Sequence, residues 1–175
     1  SNISMDVIAT YRVSEKICFY VLSVLEGRLL KQKSFVTSIS LQTLDEAYVE
    51  FMIQLYTKED CPQEILIPFD LEIARELENF FKENYKKRVV VSQPQRGHKY
   101  KLLQMAERNA KYSLEESLRR ASSANFILEA LQHKLSLTQR PSKIECLDIS
   151  NLGGTAIVAS IACFVDAKPE KSLYR

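Results

Sequence analysis

Hydrophobic and polar positions alternate in short runs at the start of the chain, then settle into helical spacing. Asp6–Val13 alternates as a strand does. Lys16–Leu25 is rich in β-branched and aromatic residues and predicts a second strand. Glu26, Gly27 and Arg28 mark a tight turn, after which "RLLKQKSFV" runs back as a third strand. Its alternation places Leu30, Gln32 and Ser34 on one face and Leu29, Lys31 and Lys33 on the other. Thr43 followed three residues later by Glu46 is a capping-box pattern, and Leu44, Ala47, Tyr48, Phe51, Met52 and Leu55 then keep helical spacing.

"CPQ" breaks that helix, and "EILIPF" reads as a short strand ended by Pro68. Asp70 caps a second helix with Leu71, Ala74, Leu77, Phe80 and Phe81 as its apolar stripe. Val89–Val91 predicts another strand, closed by Pro94. From Gly97 a long helical pattern runs on, carried by Leu103, Ala106, Ala110, Leu114, Leu118, Ala121, Leu128, Leu131 and Leu135. A longer gap at Ser122–Asn125, "SSAN", predicts a kink or break; an unbroken helix would be roughly 60 Å long at about 1.5 Å per residue. Thr138–Ser142 reads as a linker, and Ile144–Phe164 as two strands around a Gly-Gly loop.

The resulting order is βββ-α-β-α-β-α, then β-β again. A three-strand meander followed by alternating helix and strand is the ribonuclease H-like topology, an α/β fold with a mixed sheet and helices on both faces. "FVDAKPEKSLYR" stands to the second meander as "VLEGRLLKQKSF" stands to the first, a coarse internal repeat. The expected division is residues 1–140 as one ribonuclease H-like domain with its long helix, and 141–175 as the opening strands of a second, whose unfinished sheet leaves an exposed edge.

Composition is that of a globular chain: 175 residues, 46% hydrophobic and 26% charged. The net charge of +2 conceals an uneven distribution. Ser40–Phe81 holds ten acids and two bases, whereas Lys82–Arg120 holds eleven bases and four acids. The basic segment is either a face for nucleic acid or an acidic partner, or a solvated helix. Cys18, Cys146 and Cys163 lie in apolar runs and read as small core residues, and with two histidines in the chain a Cys/His zinc site is not expected. No apolar run is long enough to span a bilayer, and the thiol usage suits a reducing, cytoplasmic setting.

Two positions carry candidate chemistry. Asp148 stands inside an apolar strand, where an unpaired carboxylate is costly unless it is protonated, paired or bound to a cation. On the first strand of a ribonuclease H-like sheet it would face divalent cations; alternatively it ends a strand and caps the loop. The matching place in the first meander falls at Ile8–Thr10, which has no acid, and Asp6 reads as a turn residue at the strand start. The second candidate is "QPQRGHKYK", where Arg96, His98, Lys99 and Lys101 crowd a helix start beside Gly97. Free N–H groups and bases suit a phosphate, though a solvated helix start would look the same.

"PQRGHKYKLLQMAERNA", with "PSKIECLDISNLGGTAIVASIACFVDAKPEKSLYR" and "DVIATYRVSEKICFYVLSVLEGRLLKQKSF", resembles the C subunits of the bacterial excinuclease ABC, the UvrC family. The resemblance implies a nucleotide excision repair nuclease that cuts on both sides of a DNA lesion. It implies as partners damaged double-stranded DNA and the UvrB subunit, after loading by UvrA. A GIY-YIG domain makes the 3′ cut, and a ribonuclease H-like domain makes the 5′ cut with Mg (or Mn) and three aspartates. Asp148, in "DIS", matches the first of these; the other two, and a nearby histidine, are expected beyond Arg175, so this stretch alone is expected not to cut DNA and to hold no metal stably. Many members carry His after "DIS", where this chain has Asn151, and the "DAKP" turn lacks a common Gly, which predicts a looser turn. A different reading of the same residues is a non-catalytic module that docks DNA or the B subunit.

Overall fold

The computed structural model describes residues 4–69, 74–152 and 156–175. Asp70 and Leu71 as a helix start, and the Gly153–Gly154 loop, lie outside the described residues, as do the side chains of Ala74 and Asn151. The chain forms two compact units, Ser1–Glu116 and Ser117–Arg175.

In the first unit β1 (Ser4–Val13), β2 (Lys16–Leu25) and β3 (Arg28–Ser38) form the antiparallel meander. α1 (Leu44–Lys58), β4 (Glu64–Leu66), α2 (Ala74–Tyr85), β5 (Val90–Ser92) and α3 (Gly97–Lys134) follow. The sheet order is β3-β2-β1-β4-β5, with β1, β4 and β5 parallel to one another. This is a five-stranded mixed sheet of an α/β fold, in the element order read from the sequence.

Each sheet face buries a different helix set. Ile8, Ile17, Phe19, Val21 and Ile65 pack with Tyr48 and Met52 of α1 and Leu77 and Phe81 of α2. Met5, Val7, Ala9, Leu22, Val24 and Leu66 pack with Leu103 and Ala106 of α3 on the other face. Period-two alternation along β1 and β2 produces this split, since neighbouring side chains point to opposite faces. α1 starts where its capping box predicts: Glu46 N donates to Thr43 Oγ1 at 3.2 Å, and Thr43 N donates to Glu46 Oε2 at 2.8 Å. Glu26 and Gly27 both have positive φ, 52° and 75°, as a two-residue hairpin turn demands.

Three sequence expectations change. β3 carries a bulge: Lys31 lies opposite Ser23 and Leu29 opposite Val24, so Leu30 is an extra residue. Leu29 and Lys31 therefore face opposite sides, while Lys31 with Lys33, and Gln32 with Ser34, keep their predicted common faces. The strand expected at Val89–Val91 runs one residue later, and Val89 packs in the core just before it. α3 has no break at Ser122–Asn125; it is continuous over 38 residues, about 57 Å. Ser and Asn are poor helix formers, but without Gly or Pro the local penalty is a few tenths of a kcal/mol each, too small to open a helix.

The second unit holds the end of α3, then β6 (Lys143–Leu152), β7 (Ala156–Val165) and β8 (Lys168–Pro169), an antiparallel sheet in that order. The repeat of the first meander is partial. β8 is two residues long, and a 3-10 turn at Lys171–Leu173 interrupts the run before Arg175 pairs again with Ile161, N to O at 3.1 Å. The "DAKP" turn is tight despite lacking Gly: Val165 pairs with Lys168, and Asp166 and Ala167 both adopt positive φ, 46° and 61°.

Candidate functional sites

Asp148 lies on β6, and its register partner on β7 is Ser160. Its side chain is exposed, as are those of Cys146, Leu147 and Ile149. The expectations of an enclosed carboxylate and of a buried Cys146 do not hold, whereas Cys18 and Cys163 are buried as expected. Counting back from the strand ends, Asp148 stands four residues before Leu152 and Ala9 four residues before Val13. Ala9, which is fully buried, thus occupies in the first meander the place Asp148 holds in the second.

Among the described residues no group of three or more His, Cys, Asp or Glu side chains could hold a metal ion. A divalent cation of the Mg²⁺ type needs several oxygen ligands. Asp148 and its described neighbours therefore do not by themselves fit such an ion.

Arg96, His98, Lys99 and Lys101 lie in the first unit at the start of α3, where Gly97 has φ +81°. All four are exposed, and the helix start supplies free backbone N–H groups. Lys99 is already engaged: its Nζ donates to both carboxylate oxygens of Glu64 at 2.7 Å. Arg96, His98 and Lys101 make no ion pair among the described residues. The structure places Asp148 and these bases in different units.

A polar cluster that the sequence reading did not anticipate lies inside the first unit. Asp6 is not a turn residue; it sits within β1, 8% exposed. Tyr56 of α1 donates to its Oδ2 at 2.8 Å. Burial pushes the Asp6 carboxyl above its ordinary value, against hydrogen bonds from Ser23 and Tyr56 that favour the ionised form. Burial and the Asp6 charge likewise hold the Tyr56 phenol well above its ordinary value. Cys61 nearby is raised to about 11 by burial. Glu59 at the end of α1 pairs with Lys33 and, at 3.9 Å, with Lys31. One signal pointed here: Asp6 is two residues from Ile8, so strand alternation alone puts it on the α1 face.

A family model described as "UvrC Ribonuclease H-like domain" matches residues 4–117. The chain belongs to the UvrC family. A second UvrC model, "UvrC RNAse H endonuclease domain", matches residues 132–175, which include Asp148. The UvrABC system protein C of Desulfatibacillum aliphaticivorans is 36% identical over 174 residues, covering 99% of this chain and 29% of that protein. That of Geobacter sp. (strain M21) is 34% identical over 171 residues, covering 97% of this chain and 26% of that protein. Caldicellulosiruptor saccharolyticus has a third, 34% identical over 176 residues and covered to 28%. The chain thus spans less than a third of the length of these UvrC relatives. No helix among the described residues is long and apolar enough to cross a membrane.

Proposed function

We propose that this chain is the central part of an excinuclease C subunit acting in nucleotide excision repair. In this reading the whole protein incises DNA on both sides of a lesion in the cytoplasm, working on damaged duplex with UvrB after UvrA loading. The match of two successive UvrC models, at 4–117 and 132–175, carries the reading. Residues 1–140 form a non-catalytic ribonuclease H-like domain with its connecting helix, and 141–175 open the endonuclease domain. Support comes from the meander that restarts at β6 and from Ala9 standing where Asp148 stands. Asp148 supplies one carboxylate to a Mg²⁺ (or Mn²⁺) site for the 5′ cut, with the remaining ligands in the part of the relatives that this chain does not span.

The 175-residue chain alone does not cut DNA, because one carboxylate cannot hold two cations. The test is incubation with UvrB-loaded, lesion-bearing duplex and Mg²⁺. No nicking is expected from the chain, and loss of the 5′ cut is expected when Asp148→Asn is placed in the full-length protein. Nicking by the chain that disappears in Asp148→Ala would overturn its inactivity, and an intact 5′ cut in the full-length variant would overturn the role of Asp148.

A second reading is favoured by Arg96 and Lys101 at the start of α3, which are exposed and make no ion pair among the described residues. Here the first unit positions DNA, or docks the B subunit, without cutting. Binding that weakens steeply with salt, and weakens when these bases are neutralised, supports the DNA form. Salt-independent binding to UvrB alone supports protein docking.

A further inference from the structure

β3 is an edge of the five-stranded sheet, and nearly its whole length is exposed. An edge strand presents a row of backbone N–H and C=O groups that an added strand can pair with. Beside it, between β3 and α1, lies a groove of about 640 Å³. Its floor is aromatic: Phe51 stacks on Phe19 at 4.2 Å between ring centroids and meets Phe35 edge-on at 5.2 Å. Its α1 wall carries Glu50, whose two oxygens accept from Gln42 Nε2 at 2.6 Å and Gln54 Nε2 at 3.0 Å. Two neutral amides thus orient a carboxylate that pairs with no cation among the described residues.

We propose that this groove binds an extended segment of a partner protein by strand addition to β3, with a large apolar side chain on Phe35 and Phe51 and a Lys or Arg two positions away at Glu50. Each feature selects one property of the occupant. The free edge selects an extended backbone. The ring floor selects an apolar, preferably aromatic, side chain. Residues i and i+2 of a strand share a face, so the cation at Glu50 belongs two positions from the apolar residue. β3 of a second copy carries Lys33 and Phe35 at this spacing, but its own Glu59 and Phe51 already hold them. A partner segment with these side chains free fits better.

The test uses the isotope-labelled 175-residue chain and the peptide acetyl-TKTFTKT-amide. Amide shifts are expected in residues 35–42 and 47–59. Glu50→Gln should weaken binding about fivefold, as should exchanging both lysines of the peptide for glutamate. N-methylation of alternate peptide amides should abolish binding, because strand pairing needs those donors. Equal binding of the glutamate or N-methylated peptides would overturn the proposal. So would concentration-dependent dimerisation that shifts the same amides without peptide, which would assign the edge to a second copy.

Discussion

Tyr56 and Asp6, fifty residues apart in the chain, meet in the first unit through a buried 2.8 Å hydrogen bond. The bond joins α1 to β1 through the one polar or charged residue in the buried set of described residues. Its carboxyl has a native pKa above the ordinary value of 3.8, so at pH between the two values the native state keeps a proton that the unfolded state has lost. That contribution to stability is fully present below the unfolded-state value and is lost as pH rises through the native one. Asp6→Asn is neutral throughout and should lack this decline. Urea unfolding from about pH 3.5 to about pH 7 should show wild-type stability falling relative to the variant, and parallel curves would refute this. Tyr56→Phe removes a donor to the ionised form and should cost about 1–3 kcal/mol, more at neutral pH than in acid.

Glu78 of α2 accepts from Val91 N of the edge strand β5 at 2.8 Å. The side chain thereby satisfies a part-buried amide. Glu78→Ala should cost about 1–2 kcal/mol and speed hydrogen exchange at Val91, while Glu78→Gln keeps an acceptor and most of the protection. Unchanged exchange in Glu78→Ala would show that another group takes over.

Glu64 holds Lys99 out of the basic group at the start of α3. If that group contacts phosphate, Glu64→Gln should release Lys99 and steepen the salt dependence of DNA binding by up to about one counterion. Lys101→Ala should flatten it by about the same amount. Fluorescence anisotropy over a salt series reads both, and identical slopes in all three proteins would remove the group from the interface.

Ala167 occupies a left-handed turn position, φ 61°, between β7 and β8. Ala167→Gly relieves a steric cost of about 1–2 kcal/mol at the expense of about 0.5–1 in chain entropy. The hairpin should tighten, slowing exchange of the Glu170 amide, which donates to Cys163 O at 2.8 Å, by about two- to fivefold. Faster exchange would mean the left-handed conformation is not what limits the turn.

Signals confined to neighbouring residues were legible in the sequence. The Thr43–Glu46 box, the Glu26–Gly27 turn and the alternation of β1 and β2 each depend on residues within a turn or a pleat of one another. Distant partners were not. Asp6 looked like a turn residue because Tyr56 is out of local view, and Lys99 looked available because Glu64 lies 35 residues away. The bulge at Leu30 was not legible, because Lys31, Gln32, Lys33 and Ser34 that follow are all polar and carry no alternation that would register a slip. Ser122–Asn125 was a real local signal whose penalty the rest of the helix outweighs. Asp148 drew notice through its apolar neighbours, and those neighbours are themselves exposed.

The unbroken α3 has a kinetic and thermodynamic side. Starting a helix is disfavoured by a factor of roughly 10⁻³, whereas each further residue adds at little cost. Leu103, Ala106, Ala110 and Leu114 are buried and anchor the first half in its own unit, so residues 117–134, in which Leu128 is the buried side chain, largely propagate a helix already begun. That is how Ser122–Asn125 stays wound while largely exposed. A chain begun at Ser117 would have to nucleate this segment afresh, and its circular dichroism should show coil where the longer chain shows helix.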